Sequence, residues 1–364
     1  MAEPMVLTAD DLDDLALGCA VYGTGGGGDV SGELLAASVA LKTYGDVPLV
    51  PMTDLPAHGL ILPLSMIGAP TVALEMPGSG REAEAARAEV ERLTGRRVVA
   101  VMAAEIGGAN GVAPVGWAAR LGLPLLDADG MGRAFPELQM VSMHVAGLKP
   151  EVVVLVDALG NTASLRPVDA VWAERWGRAL CVASGSSALM ADHLLTPADR
   201  DAVVHGSVSR ALEVGRVLRT ADEPMEALVA ALGARRLVTG VLEDVDRDTD
   251  EGFVRGSVTV SGRGADHGRH LRIELQNENL VAWEDSAVLA SVPDLITVCD
   301  TQTGIPIATE SLRFGQRVTV LAWPCDPLWR TPRGLEVAGP AAFGYEHHYM
   351  PVEWTGLLME EGRR

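Results

Sequence analysis

The sequence predicts two domains: an α/β N-terminal domain on a mostly parallel sheet over residues 5–168, and a β-rich α+β C-terminal domain over 169–358. Three observations predict this. Short runs, apolar nearly throughout, alternate with helical stretches through the first part of the chain, as in βαβ crossovers around a buried parallel sheet. From Leu237 the texture turns to valine- and threonine-rich runs broken by Gly, Pro and Asp, which reads as an antiparallel region over 237–325. Finally, 364 residues, 48% of them hydrophobic, exceed what one compact core holds.

Thr8, with Asp11 at the capping-box position, opens a helix that ends at Gly23, and Ser31 is expected to cap a second over "GELLAASVALKTYG". The strands of the first sheet are expected in "VPLVPM", "GLILPLSMIG", "RRVVAVMAAEIGG", "LGLPLLDADG" and "PEVVVLVDALG", with crossover helices in "REAEAARAEVERLTG" and "GVAPVGWAARLG". Two further helices are expected, "PADRDAVVHGSVSRALEVGRVLR" and "EPMEALVAALGARR". Five strand-like runs follow, from "LVTGVLEDV" to "QRVTVLAWP". The tail after Cys325, rich in proline and glycine, either wraps the surface or returns to the first domain.

Composition narrows the function. The net charge is −20 and no basic cluster occurs, so nucleic acid and anionic lipid are excluded as partners. No apolar run approaches the roughly 20 residues that cross a bilayer, and the acidic start is unlike a signal peptide, so a cytoplasmic protein is expected. Cys19, Cys181, Cys299 and Cys325 form no CxxC pair, and at least three are expected to be buried thiols.

Two segments carry the chemistry. "GTGGGGD" follows one helix and precedes another. Gly25, Gly26, Gly27 and Gly28 can present a nest of N–H donors to a carboxylate or phosphate. No Gly-Lys-Ser/Thr follows, so no nucleotide cofactor is expected. In the second segment, Glu105 falls just past one strand, and Asp127 and Asp129 just past another, where open α/β sheets bind ligands. These acids can activate water, or, with His144, hold a divalent metal such as Zn or Mg/Mn. Asn110 is a ring-orienting amide, and Gln276, Asn277 and Asn279 stand at a strand end or hairpin where they face a ligand or make the turn. The plain alternative is that the two aspartates cap turns and Glu105 pairs with Arg133. The "DHGRH" spacing reads as a solvated hairpin tip, and Cys325 as a structural thiol.

"GTGGGGD", "MIGAP", "AEIGGAN", "GLPLLDADGMGRAFPELQM", "NENL", "PDLITVCDTQTGIPIATESLRFGQRV" and "GLEVAGPAAFGY", in this order, resemble the DUF917 family, also called the S-methyl thiohydantoin desulfurase family. The resemblance covers nearly the full length. It implies a two-domain enzyme, loosely related to hydantoinase/oxoprolinase systems, that hydrolytically removes the C2 sulfur substituent of a five-membered cyclic amide to leave a hydantoin. Its partner is then a small heterocyclic substrate, with homo-oligomers possible. The reading from another class is a non-catalytic ligand-binding protein or subunit of a hydantoinase/oxoprolinase-type system.

Overall fold

The computed structural model describes residues 5–68, 72, 78–250 and 253–355. Parts of "MIGAP" and the last residues of the expected second domain lie outside them.

The first half runs β1 (Met5–Leu7), α1 (Leu12–Tyr22), α2 (Val30–Tyr44), β2 (Val47–Val50), β3 (Leu60–Gly68), α3 (Glu82–Thr94), β4 (Val98–Ala103), α4 (Ala109–Leu121), β5 (Leu125–Asp129), α5 (Ser142–Val145), β6 (Val153–Asp157) and β7 (Thr162–Leu165). The Thr8 N–H and hydroxyl both donate to Asp11, at 3.0 and 2.8 Å, ahead of α1. Asp29 rather than Ser31 caps α2. Its carboxylate accepts the Ser31 N–H at 2.9 Å, which puts Ser31 inside the first turn.

Beyond residue 168 come α6 (Ala170–Ala183), β8 (Ser187–Ala191), β9 (Val204–His205), α7 (Ser207–Thr220) and α8 (Pro224–Leu232). The helix expected over 197–219 is broken: a 3-10 turn is followed by β9, and α7 begins only after Gly206, whose φ of 68° stops a continuous helix. The first sheet has the order β1-β2-β5-β4-β3-β8-β6-β7, with β9 on β5. Its centre, β2-β5-β4-β3, is parallel as expected. Antiparallel strands flank it. Strand β8 arrives after the first pass is complete and sits between β3 and β6.

The antiparallel region holds β10 (Arg235–Asp250), β11 (Phe253–Gly262), β12 (His270–Gln276), β13 (Glu278–Glu284), β14 (Ala287–Ser291), β15 (Leu295–Asp300) and β16 (Arg317–Trp323), in the order β14-β13-β12-β11-β10-β16-β15. The run "HLRIELQNENLVAWE" is a hairpin. It reverses at Asn277, where φ is 57° and Gln276 pairs with Glu278. After β16 comes α9 (Pro332–Ala338).

An apolar layer joins the two halves: Val21, Met102, Leu126 and Phe135 from the first meet Leu280, Leu295, Leu321 and Trp329 from the second. The tail returns to the first domain. Its Trp329 ring is 4.9 Å from that of Phe135, and its indole N–H donates to the Met131 carbonyl at 2.7 Å. All four cysteines are buried and free. Among the described residues no helix is long and apolar enough to cross a membrane.

Helices α1 and α7 cross at backbone distance. A Cβ on Gly18 would lie 1.8 Å from the Ala211 carbonyl oxygen, and one on Gly215 1.7 Å from that of Asp14. Beside the crossing, Arg219 donates to buried Asp14 at 2.5 Å and holds its carboxyl below the usual range. Gly18→Ala should therefore cost about 2–4 kcal/mol by forcing the helices apart, read as a lower urea midpoint at unchanged m. An unchanged midpoint would mean that the crossing is looser than described.

Candidate active site

The sheets and the glycine loop enclose a cavity of about 400 Å³, within the range of small-molecule sites. Its wall includes Gly26, Gly27 and Gly28, Glu105 and Asn110 after β4, and Asn277 and Glu278 at the β12–β13 turn.

Glu105 and Asp129 are drawn together by a backbone clamp. The Asp129 Oδ2 accepts N–H groups from Ile106 at 2.9 Å, Met131 at 3.0 Å and Gly132 at 2.7 Å. Asp129 thus fixes both the turn after β5 and the turn that presents Glu105. Burial pushes its carboxyl up to about 6, against the pull of those N–H groups and the Ser207 hydroxyl. It is absent from the cavity wall. Asp127 does not join the acids either: it accepts the N–H and hydroxyl of Ser209, at 3.0 and 2.8 Å, in the first turn of α7. The capping reading therefore describes both aspartates, though Asp127 caps a helix far along the chain rather than the next turn.

Glu105 does face the cavity, and it makes no ion pair with Arg133 within 4 Å. Its Oε1 accepts the Asn110 amide at 2.5 Å, and its Oε2 accepts the Phe135 N–H at 3.3 Å. The other end of Asn110 accepts the Met66 N–H at 2.7 Å. Asn110 is therefore occupied in orienting Glu105, where the sequence suggested a contact to a ring. Burial pushes the Glu105 carboxyl up to about 8, with Asp129 adding to the rise and Asn110, Phe135 N–H and Arg133 opposing it.

The partner of Glu105 is a residue that sequence reasoning passed over. Glu278, between the two asparagines that were singled out, is 2% exposed, lines the cavity and has no hydrogen-bond partner for Oε2. Burial first and the Glu105 charge second raise its carboxyl well above the ordinary value, while Arg133 pulls it down. A signal was present: Glu278 falls just past the strand-like run "HLRIELQ", as Glu105 falls just past "VVAVMAA". Asn277 lines the cavity but accepts the Val254 N–H at 2.8 Å, so its oxygen serves the turn. Asn279 is fully buried away from the cavity and donates to the Ile296 carbonyl at 3.0 Å.

The glycine loop closes over this pair. A Cβ on Gly26 would sit 2.0 Å from Glu278 Oε1, and one on Gly27 2.3 Å from the Gly107 carbonyl. Gly25 lies outside the wall, and its carbonyl accepts the Thr309 N–H at 2.8 Å. The loop is glycine so that it can pack on Glu278 and the Gly107–Gly108 turn, and acids rather than cations surround it, which does not suit the carboxylate nest expected. His144 is remote, 3.1 Å from the Arg333 guanidinium, and burial with that charge lowers its pKa. Glu105, Asp127, Asp129 and His144 are thus no metal set. Among the described residues no three His, Cys, Asp or Glu side chains converge as a metal centre would need.

Burial raises both carboxyls above their ordinary range, and the nearby Arg133 guanidinium opposes the rise in each, so both favour the protonated form. One can accept a proton while the other donates one.

A model of the S-Me-THD-like N-terminal domain matches residues 10–167, and one of the S-Me-THD-like C-terminal domain matches 168–352. No curated protein matches the chain. Among solved structures, the crystal structure of a protein from Chromobacterium violaceum is similar at 26% identity and a TM-score of 0.82, over 96% of this chain and 100% of that one.

A carboxyl raised from 4.5 to about 8 binds more protons folded than unfolded, so stability falls as pH rises through that window. The limiting slope is about 1.4 kcal/mol per pH unit for one group. Glu105→Gln should flatten the decline in melting temperature between pH 5 and 8. A variant that loses stability over that window as steeply as the parent would show that Glu105 does not carry the buried proton.

Proposed function

The chain belongs to the S-Me-THD-like family, and from that premise we propose that it is a hydrolase that desulfurizes an S-methyl thiohydantoin, or a thiohydantoin, to the hydantoin. Glu105 and Glu278 are the acid–base pair. The observation that carries this reading is the meeting of two buried, proton-holding carboxyls at one cavity wall, one of them with a free oxygen.

The ionised member of the pair takes a proton from water as the water oxygen bonds to C2 of the ring. The protonated member gives its proton to the sulfur as the C2–S bond breaks. Water and the S-methyl ring thus become the C2 carbonyl and methanethiol, and a thiohydantoin releases hydrogen sulfide instead. Asn110 and the Phe135 N–H position Glu105, and Arg133, behind both acids, stabilises whichever carries the charge.

The test is thiol release from S-methyl thiohydantoins and thiohydantoins by the purified protein. Glu105→Gln and Glu278→Gln should each lower kcat by about 10²-fold or more, with the fold retained by circular dichroism. Gly26→Ala should also lower kcat by displacing Glu278. Full activity in both glutamine variants would remove the pair from the chemistry. Binding of the ring compounds without turnover would favour the ligand-binding reading.

A further inference from the structure

Glu278 is aimed by a hairpin turn that is held from outside. The turn reverses at Asn277, whose φ of 57° costs energy for a residue with a side chain. The Asn277 N–H donates to the Val254 carbonyl, and its side-chain oxygen accepts the Val254 N–H, each at 2.8 Å, within the same sheet. Its carbonyl, the group next in the chain to Glu278, is bonded by a residue from elsewhere: the Thr309 hydroxyl donates to it at 2.6 Å. Glu310 Oε2 lies 3.4 Å from that hydroxyl, too far to compete for its proton.

Thr309 meets the glycine loop as well. Its N–H donates to the Gly25 carbonyl at 2.8 Å, and a Cβ on Gly25 would lie 2.8 Å from its methyl group. Gly25 leads into Gly26, where a Cβ would meet Glu278 Oε1. Thr309 is 1% exposed, lines the cavity and opens a 3-10 turn, Thr309–Ser311, between β15 and β16. Arg247, on β10, holds that turn from behind by donating to the carbonyls of Thr309 and, at 3.0 Å, Leu312. One small side chain thus joins the glycine loop that covers Glu278 to the turn that carries it.

We propose that Thr309 is a positioning residue: its hydroxyl fixes the Asn277–Glu278 peptide, and through it holds the Glu278 carboxyl within reach of C2. The inference rests on the acid–base role of Glu278, and so on the desulfurase reading, while the bonds that carry it are made by Thr309 to backbone carbonyls. A misplacement of about 1 Å in a reacting group can lower a rate by about 100-fold, so a lost tether at this peptide is felt in turnover.

The test is thiol release from an S-methyl thiohydantoin by Thr309→Ala, which lacks the hydroxyl, and by Thr309→Ser, which keeps it. Thr309→Ala should lower kcat about tenfold or more with KM changed by about twofold or less, and Thr309→Ser should recover most of the rate. The alkaline limb of the kcat profile should also move to lower pH in Thr309→Ala. Burial is the largest cause of the raised Glu278 carboxyl, with Glu105 and Glu310 adding to it and Arg133 opposing it, so a loosened turn that admits water returns the carboxyl toward its ordinary range. Thr309→Val, which keeps the methyl group, gives the same reading if Thr309→Ala folds poorly. A bond that only stabilises the fold would lower the urea midpoint and leave kcat and its pH profile in place. That result overturns the proposal, as does a Thr309→Ser variant as slow as Thr309→Ala. If the parent releases no thiol, the desulfurase reading fails, and melting temperature against pH then decides the positioning of Glu278. A raised carboxyl loses stability as pH rises, so the decline should be shallower in Thr309→Ala than in Thr309→Ser, and equal declines overturn the tether.

Discussion

Arg133 has no exposure to water, and the site depends on it. Its guanidinium donates to the carbonyls of Pro293 at 2.7 Å, Asp294 at 2.9 Å and Ala134 at 2.9 Å, and to the Thr24 hydroxyl at 3.1 Å. Those partners belong to the turn between β14 and β15, the loop after β5 and the start of the glycine loop. A buried cation is tolerated only when carbonyls and opposing charge surround it, and burial here depresses even a guanidinium to about 10. Glu278, Asp294 and Glu105 supply the opposing charge. The two glutamates and the arginine are therefore linked: burial raises the acids and lowers the guanidinium, and the attraction between opposite charges opposes each of these shifts.

A second buried carboxylate plays the corresponding part in the tail. Asp294, fully buried, accepts the Cys325 N–H, the Arg330 guanidinium, the Tyr349 hydroxyl and the Val352 N–H, so the segment after β16 is tied down along its length. The backbone of that residue serves Arg133 and its side chain serves the tail. The packing of Trp329 on Phe135 and the position of the Glu105 loop thus share one anchor.

Much of the fold was legible because it rests on local periodicity: the parallel strands, their crossover helices, and the β-rich region from about Leu237 all show in the spacing of apolar residues. What periodicity missed was set by distant partners. The 197–219 stretch has helical composition, yet pairing of β9 with β5 and a cap from Asp127 decide where α7 begins. Residues 170–191 carry α6 and β8 without a clear signal, because β8 takes its place from β3 and β6. In the site, Glu105 was visible as an acid after a strand. The same cue gave Asp127 and Asp129, and only three-dimensional bonding separates an acid that holds backbone from one that faces a cavity. Glu278 was overlooked for its amide neighbours, one of which makes the hairpin turn that aims it.

The position of β8 bears on how this protein can be divided. Family models split the chain at residues 167 and 168, as though the halves were separable units. Yet the strand that fills the gap between β3 and β6 comes from the second half, and α7 from that half lies against α1 backbone to backbone. Halves exchanged between relatives would have to match not only across the cavity but inside a single sheet and at a helix crossing with no room for a methyl group. Recombination at the apparent boundary is therefore constrained to closely matched partners, and during synthesis the first sheet stays open between β3 and β6 until β8 has left the ribosome.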